Sequence, residues 1–186
     1  MTALQGSWKS PGGRWRGFLD PKRLLDKLRQ FLKKDRPMSV ADYLDDRLVV
    51  FLKAETKMGA IGELVDAMSF AGQLKDREAF HKAIVEREKV VSTGIGLGVA
   101  VPHAKLPGYD HFFIAIGVKE GSGIDWDSFD NLQVHLIFMI GGPDNRQTEY
   151  LDVLSRLTAA AKDGERRRMV LKATSAQQVV ALFRGC

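Results

Sequence analysis

His103 follows Pro102 directly, at the end of the apolar triplet Val99-Ala100-Val101 and a few residues downstream of Ser92, Thr93 and three glycines at alternate positions, Gly94, Gly96 and Gly98. These residue types in this order suit phosphoryl chemistry. A neutral imidazole attacks a phosphoryl donor through one ring nitrogen while a hydrogen bond at the other nitrogen orients it. Once phosphorylated, the ring carries oxygens that need N–H or O–H donors or a cation nearby. The hydroxyls of Ser92 and Thr93 and the backbone N–H groups around Gly94 can supply such donors, so the segment reads as a phosphate cradle. A structural histidine beside a glycine turn fits the same residue types, and residue types alone leave both readings open. Two other glycine-loop chemistries fail on spacing. A dinucleotide fingerprint requires G-x-G-x-x-G opening a helix, whereas G-x-G-x-G here runs into the strand-like Val99-Ala100-Val101-Pro102. A Walker loop requires lysine and a hydroxyl residue after its last glycine, and neither follows Gly98 in that register.

The remaining histidines offer less. His81 lies in a charged helical segment and reads as solvated, while His135 sits in an apolar run and reads as a core histidine with its hydrogen bonds satisfied. His111 starts a strand and reaches the site only through tertiary placement. No carboxylate and cysteine pattern accompanies His103 and His111, so no metal site is expected.

The elements that must position His103 begin after Asp35-Arg36-Pro37, a breaker that marks the boundary between an arm, residues 1–37, and a main domain, residues 38–186. Ser39 caps a short turn to Leu44, and Leu48-Val49-Val50-Phe51-Leu52 reads as a buried strand. Thr56 precedes a helix through Met58, Ile61, Leu64, Val65 and Met68. Asp76 caps a second helix that carries Phe80 and Ile84 and ends in Glu86-Arg87-Glu88-Lys89. Three apolar runs rich in β-branched and aromatic residues, from Gly98 to Val101, Phe112 to Val118 and Val134 to Ile140, predict central strands. Helices are expected over about Thr148 to Ala161, Arg166 to Leu171 and Ser175 to Phe183. Strands interleaved with helices give an α/β class with a mixed central sheet flanked by helices.

Charge divides the chain at the same boundary. Of its 186 residues, those up to Arg36 carry ten basic against three acidic side chains, a balance of +7, which leaves −2 for the remainder of a chain whose net charge is +5. The folded body is therefore mildly acidic, and the arm holds the positive charge. Within it Leu24, Leu28, Phe31 and Leu32 recur at helical spacing after Asp20 and Pro21, which predicts a basic amphipathic helix. Packing of its leucine face on the main domain or on a second copy is the first reading, a membrane surface the second, and nucleic acid the third, since nothing in it reads a base sequence. The single cysteine, Cys186, excludes an internal disulfide framework and fits a reducing compartment, so a cytoplasmic location is expected. No apolar run approaches the length of a membrane span.

Glu86-Arg87-Glu88-Lys89, then Ser92-Thr93-Gly94-Ile95-Gly96, then Val99-Ala100-Val101-Pro102-His103, resembles the active-site block of the enzyme IIA family of the bacterial phosphotransferase system, in its fructose, mannitol and nitrogen-regulatory branches. The likeness continues through Phe113 to Val118, Gly123-Ile124-Asp125-Trp126 and Asp130 to Leu136. It implies the family's fold, no cofactor, and a phosphorylatable histidine at His103 that takes its phosphoryl group from a histidine-containing phosphocarrier protein. It further implies that Arg87 matches an arginine of the mannitol branch able to neutralise phosphoryl charge. Paired instead with Glu86 or Glu88, Arg87 would be an ordinary helix-end charge.

One position departs from the family pattern. A second active-site histidine usually stands in a Glu-His-Leu context in the next helix, and Glu149-Tyr150-Leu151 puts tyrosine there. A phenol, with an ordinary pKa near 10, carries no proton near neutrality but donates a hydrogen bond to a phosphoryl oxygen. Acceptance at His103 survives that change, whereas onward transfer to a sugar permease loses its proton carrier. Gly141-Gly142-Pro143 also replaces a more apolar strand end. The expected function is a phosphohistidine carrier or regulator, with a binding module docking a partner around His103 as the alternative.

Overall fold

Side chains that accept from otherwise unpaired N–H groups open most of the helices in the computed structural model, which describes residues 39–184. The arm, the helix expected in it and Cys186 lie outside the described residues. Ser39 N–H donates to Asp42 Oδ2 at 2.7 Å and opens a 3-10 turn over Val40–Tyr43. Thr56 Oγ1 accepts from Gly59 N–H ahead of α1, Lys57–Phe70, and Asp76 Oδ1 accepts from Ala79 N–H ahead of α2, Arg77–Val90. Asp163 caps α4, Gly164–Leu171, and Ser175 caps α5, Ala176–Ala181. Between α2 and α4 come β2 (Gly94–Gly96), β3 (Val99–Ala100), β4 (His103–Leu106), β5 (Phe113–Val118), β6 (Leu136–Pro143) and α3 (Gln147–Lys162). The first strand, β1, runs over Leu44–Phe51 and so starts at Leu44 rather than at Leu48. Its polar first half, Asp45-Asp46-Arg47, falls where the pairing with β5 shifts register between Leu44 and Val49, on a strand that has β5 as its one neighbour among the described residues.

These strands form a mixed sheet in the order β1-β5-β6-β3-β2, with β4 also on β6. β5 and β6 pair antiparallel at the centre, and β1 on β5, β3 on β6 and β4 on β6 pair parallel. Every residue of β5 and β6 is buried, as a sheet covered on both faces requires. Alternation sorts their side chains. Ile114, Ile116, Phe138 and Ile140 join Val153, Leu157, Val170, Val179 and Phe183 of the C-terminal helices on one face. Phe113, Ala115, Ile137 and Met139 join Ile61, Leu64, Met68, Phe80 and Ile84 of α1 and α2 on the other.

The chain around Pro102 is one strand in two pieces. Val99 and Ala100 oppose Leu136 and Ile137 on β6, and His103 to Leu106 oppose Ile140 to Pro143 in the same register. Pro102 cannot donate to the ladder, but its carbonyl accepts from Ile140 N–H at 2.9 Å. His103 therefore opens a second strand segment instead of standing past the end of the first. Val99 and Val101 face the C-terminal helices, so His103 faces them too, and Ala104 faces α1 and α2.

The polar-looking end of β6 is explained by two rings. A Cβ at Gly141 would overlap Phe113, and one at Gly142 would overlap Phe112. Gly142→Ala is accordingly expected to destabilise the domain by about 1–3 kcal/mol, read as a lower urea midpoint at unchanged slope. A wild-type midpoint would mean that Phe112 moves aside freely.

Candidate functional site

The end of α2 and the start of β4 bring three predicted residues together. Arg87 Nε–H donates to His103 Nε2 at 3.0 Å, and the ring of Tyr150, from the first turn of α3, lies 5.6 Å from the His103 ring at 46°. Helices packed on opposite faces of the sheet thus meet across its edge strand, one supplying a cation and the other a phenol. Arg87 also donates from Nη1 to the Val91 carbonyl at 2.9 Å, which ties its guanidinium to the C-terminal end of α2.

The tautomer of His103 follows from its partners. Nδ1 lies 3.0 Å from the Val101 carbonyl oxygen, which can only accept, so Nδ1 carries the hydrogen. Nε2 then holds the lone pair that accepts from Arg87. Both bonds are made by the neutral ring alone. Burial is the largest reason that His103 titrates below its ordinary value; the Arg87 and Lys105 charges push the same way, and the Val101 bond and Glu88 oppose them. The result is a half-buried imidazole that is neutral at physiological pH with Nε2 as its basic atom.

Tyr150 is buried, at 6% exposure, and packs on Phe112 with ring centroids 6.1 Å apart. Burial pushes its phenol above the ordinary value, partly offset by Arg87, so it stays protonated across the physiological range. It is a hydrogen-bond donor and not a proton shuttle.

Ser92, Thr93 and Gly94 are drawn into a different cluster. Thr93 Oγ1–H donates to Glu88 Oε2 at 2.6 Å, and Thr93 N–H to Glu88 Oε1 at 3.1 Å. Trp126 Nε1–H donates to Thr93 Oγ1 at 3.1 Å, and Ser92 Oγ–H donates to the Trp126 carbonyl at 2.7 Å. A hydroxyl has one proton, and both are engaged. Gly94 N–H meets Ser92 Oγ, and a Cβ there would overlap Ser128. The next glycines serve a tight hairpin: Gly96, Leu97 and Gly98 have φ of 80°, 59° and 72°, and Leu97 N–H donates to Asp130 Oδ2 at 2.8 Å. The glycine block thus forms the frame beside the histidine, and the donors nearest to His103 come from elsewhere in the chain.

Two residues of this arrangement are not apparent from the sequence. Glu88, one residue past Arg87 on the last turn of α2, is buried at 7% exposure and anchors the Thr93 cluster, with Lys57 Nζ at 3.4 Å. Lys105, two residues after His103 on β4, stands with Nζ 4.6 Å from the Tyr150 ring centroid. The period-two alternation of a strand would have found Lys105, had β4 been recognised as one. His81 is half-buried, His111 is exposed and His135 Nδ1 lies 3.1 Å from the Lys119 carbonyl, so none joins the site. Among the described residues there is no group of three or more metal-ligating side chains and no helix long and apolar enough to cross a membrane.

Residues 42–185 match the family described as phosphoenolpyruvate-dependent sugar phosphotransferase system, EIIA 2. The chain belongs to that family. A fructose-specific EIIABC component of the phosphotransferase system from Bacillus subtilis is 36% identical over 132 residues, 71% of this chain and 21% of that protein. A fructose-specific EIIA component from Haloferax volcanii is 36% identical over 124 residues, 67% of this chain and 80% of that protein. The crystal structure of the nitrogen regulatory protein IIA-Ntr from Neisseria meningitidis superimposes with a TM-score of 0.71 at 26% identity, over 77% of this chain and 98% of that one. The chain thus spans about a fifth of the Bacillus relative and most of the other two. The α/β fold of this enzyme IIA domain, a mixed sheet between helices, is that of the family, and membership places it among the phosphocarrier and regulatory proteins of the phosphotransferase system.

Proposed function

We propose that His103 accepts a phosphoryl group on Nε2 from a histidine-containing phosphocarrier protein, and that the domain holds it as a signal instead of feeding a sugar permease. The carrying observation is the single tautomer: Nδ1–H bonded to Val101 and a basic Nε2 beside Arg87. In the transfer, the donor's P–N bond breaks as the Nε2–P bond forms, and the electron pair returns to the donor ring. The Val101 carbonyl stabilises the positive charge that develops on the attacking ring, and Arg87 meets the phosphoryl oxygens. Tyr150 donates to an oxygen but cannot relay a proton, which favours retention over onward transfer. Ser92, Thr93 and Gly94 hold the frame. A relay fed from phosphoenolpyruvate runs in the cytoplasm, and this reading assigns the chain there, with residues 1–37 as a separate arm and the regulated partner a protein.

The test is incubation with phosphoenolpyruvate, enzyme I and the phosphocarrier, read by intact mass beside His103→Ala. The expected outcome is a gain of about 80 Da, one acid-labile phosphoryl group, absent from the variant. The second reading, a binding module without phosphorylation, draws on the same Arg87 bond, because that N–H occupies the lone pair on which transfer depends. No mass gain would establish it over the first.

A further inference from the structure

On the reading that His103 carries a phosphoryl group, we propose that Lys105 is a second phosphoryl-holding residue, supplying with its ammonium the positive charge that Tyr150 cannot. Alternation along β4 puts Lys105 on the same side of the strand as His103, about 7 Å further on. Its Nζ lies 4.6 Å from the centroid of the Tyr150 ring, and that ring lies 5.6 Å from the His103 ring. One of its three N–H groups is held by Gln147 Oε1 at the start of α3, which leaves two for other acceptors. No hydrogen bond engages Tyr150 Oη among the described residues, and the atom is open to solvent although the residue is only 6% exposed. Arg87, His103, Tyr150 and Lys105 therefore stand side by side with two cations, a phenol free to donate and, among the described residues, no carboxylate bonded to either cation. Three oxygens bearing about two negative charges match that set. Lys105 moves no proton and forms no covalent bond; its N–H groups meet the oxygens once the Nε2–P bond exists.

The experiment compares the full chain with Lys105→Gln and Lys105→Arg, phosphorylated from the phosphocarrier and, separately, from phosphoramidate, a small donor that needs no docking surface. Occupancy of His103 at equilibrium and the half-life of the phosphoryl group are read by mass. Lys105→Gln is expected to lower occupancy and half-life about tenfold with both donors, and Lys105→Arg to return to within about threefold of wild type. Equal urea midpoints check that the variants fold. Wild-type values for Lys105→Gln overturn the inference. So does a loss confined to the phosphocarrier arm, which would make Lys105 a contact for that protein. If wild type takes a phosphoryl group from neither donor, the reading of His103 itself fails and this inference falls with it.

Discussion

Replacing Arg87 with glutamine is expected to slow phosphoryl uptake at His103 by about 10²–10³-fold, the usual effect of removing one donor aimed at developing charge. Arg87 lies 3.0 Å from the atom that is phosphorylated on our reading, so its guanidinium meets the incoming oxygens with little rearrangement. The sign of the result matters as much as its size. A plug that merely covered the Nε2 lone pair would, on removal, speed uptake. A charge-compensating donor would, on removal, slow it. Arg87→Lys keeps the charge but loses the planar fork, and is expected to recover only part of the rate.

The same substitution predicts a pH effect. Arg87 is one of the charges that hold His103 below its ordinary value, so Arg87→Gln moves that titration upward, readable in the histidine ring resonances. Uptake by the variant then fails at a higher pH on the acid side, because the nucleophile is the neutral ring. Stability moves in the matching direction. A histidine whose folded pKa is depressed binds its proton more readily in the unfolded chain, so stability is lost as pH falls from about 6.5. In Arg87→Gln that window narrows and the loss is smaller.

It was the family resemblance that singled out His103, Arg87 and Tyr150, whose side chains the structure brings together; residue types alone left His103 open between a phosphate cradle and a structural histidine. The helix starts were legible from the residues themselves, since Thr56, Asp76 and Ser175 act on N–H groups within a few residues of themselves. What could not be read was the use of the hydroxyls. Ser92 and Thr93 stand in sequence as phosphate donors, and only tertiary placement of Trp126 and Glu88 shows that both protons are engaged. The strand identity of His103 to Leu106 was hidden by Pro102, which reads as a terminator although its carbonyl keeps the ladder to Ile140. Gly141 and Gly142 looked like a weakened strand end because the rings that require them come from elsewhere in the chain, Phe113 from the first position of the neighbouring strand β5 and Phe112 from the residue just before it.

Glu88 carries the second large effect. The last turn of α2 directs two successive side chains to different tasks, Arg87 to the histidine and Glu88 to the frame behind it. Glu88 accepts both the N–H and the hydroxyl of Thr93, and Thr93 in turn accepts from the fully buried Trp126. Glu88→Ala strips the partners from a buried N–H and a buried hydroxyl at once and removes the carboxylate 3.4 Å from Lys57. Leaving buried donors unpaired is expected to cost about 2–4 kcal/mol, measured as a lower urea midpoint together with a changed near-ultraviolet signal from Trp126. Glu88→Gln keeps one acceptor oxygen and is expected to lose roughly half as much. Because the frame leads through Thr93 and its bond to Val101 N–H at 3.0 Å into the backbone that holds His103 Nδ1, the alanine variant is also expected to loosen the tautomer. Phosphoryl uptake would then fall more than the folded fraction does. A variant that loses stability while its remaining folded molecules react at the wild-type rate would show instead that Val101 is held by β3 and β6 alone.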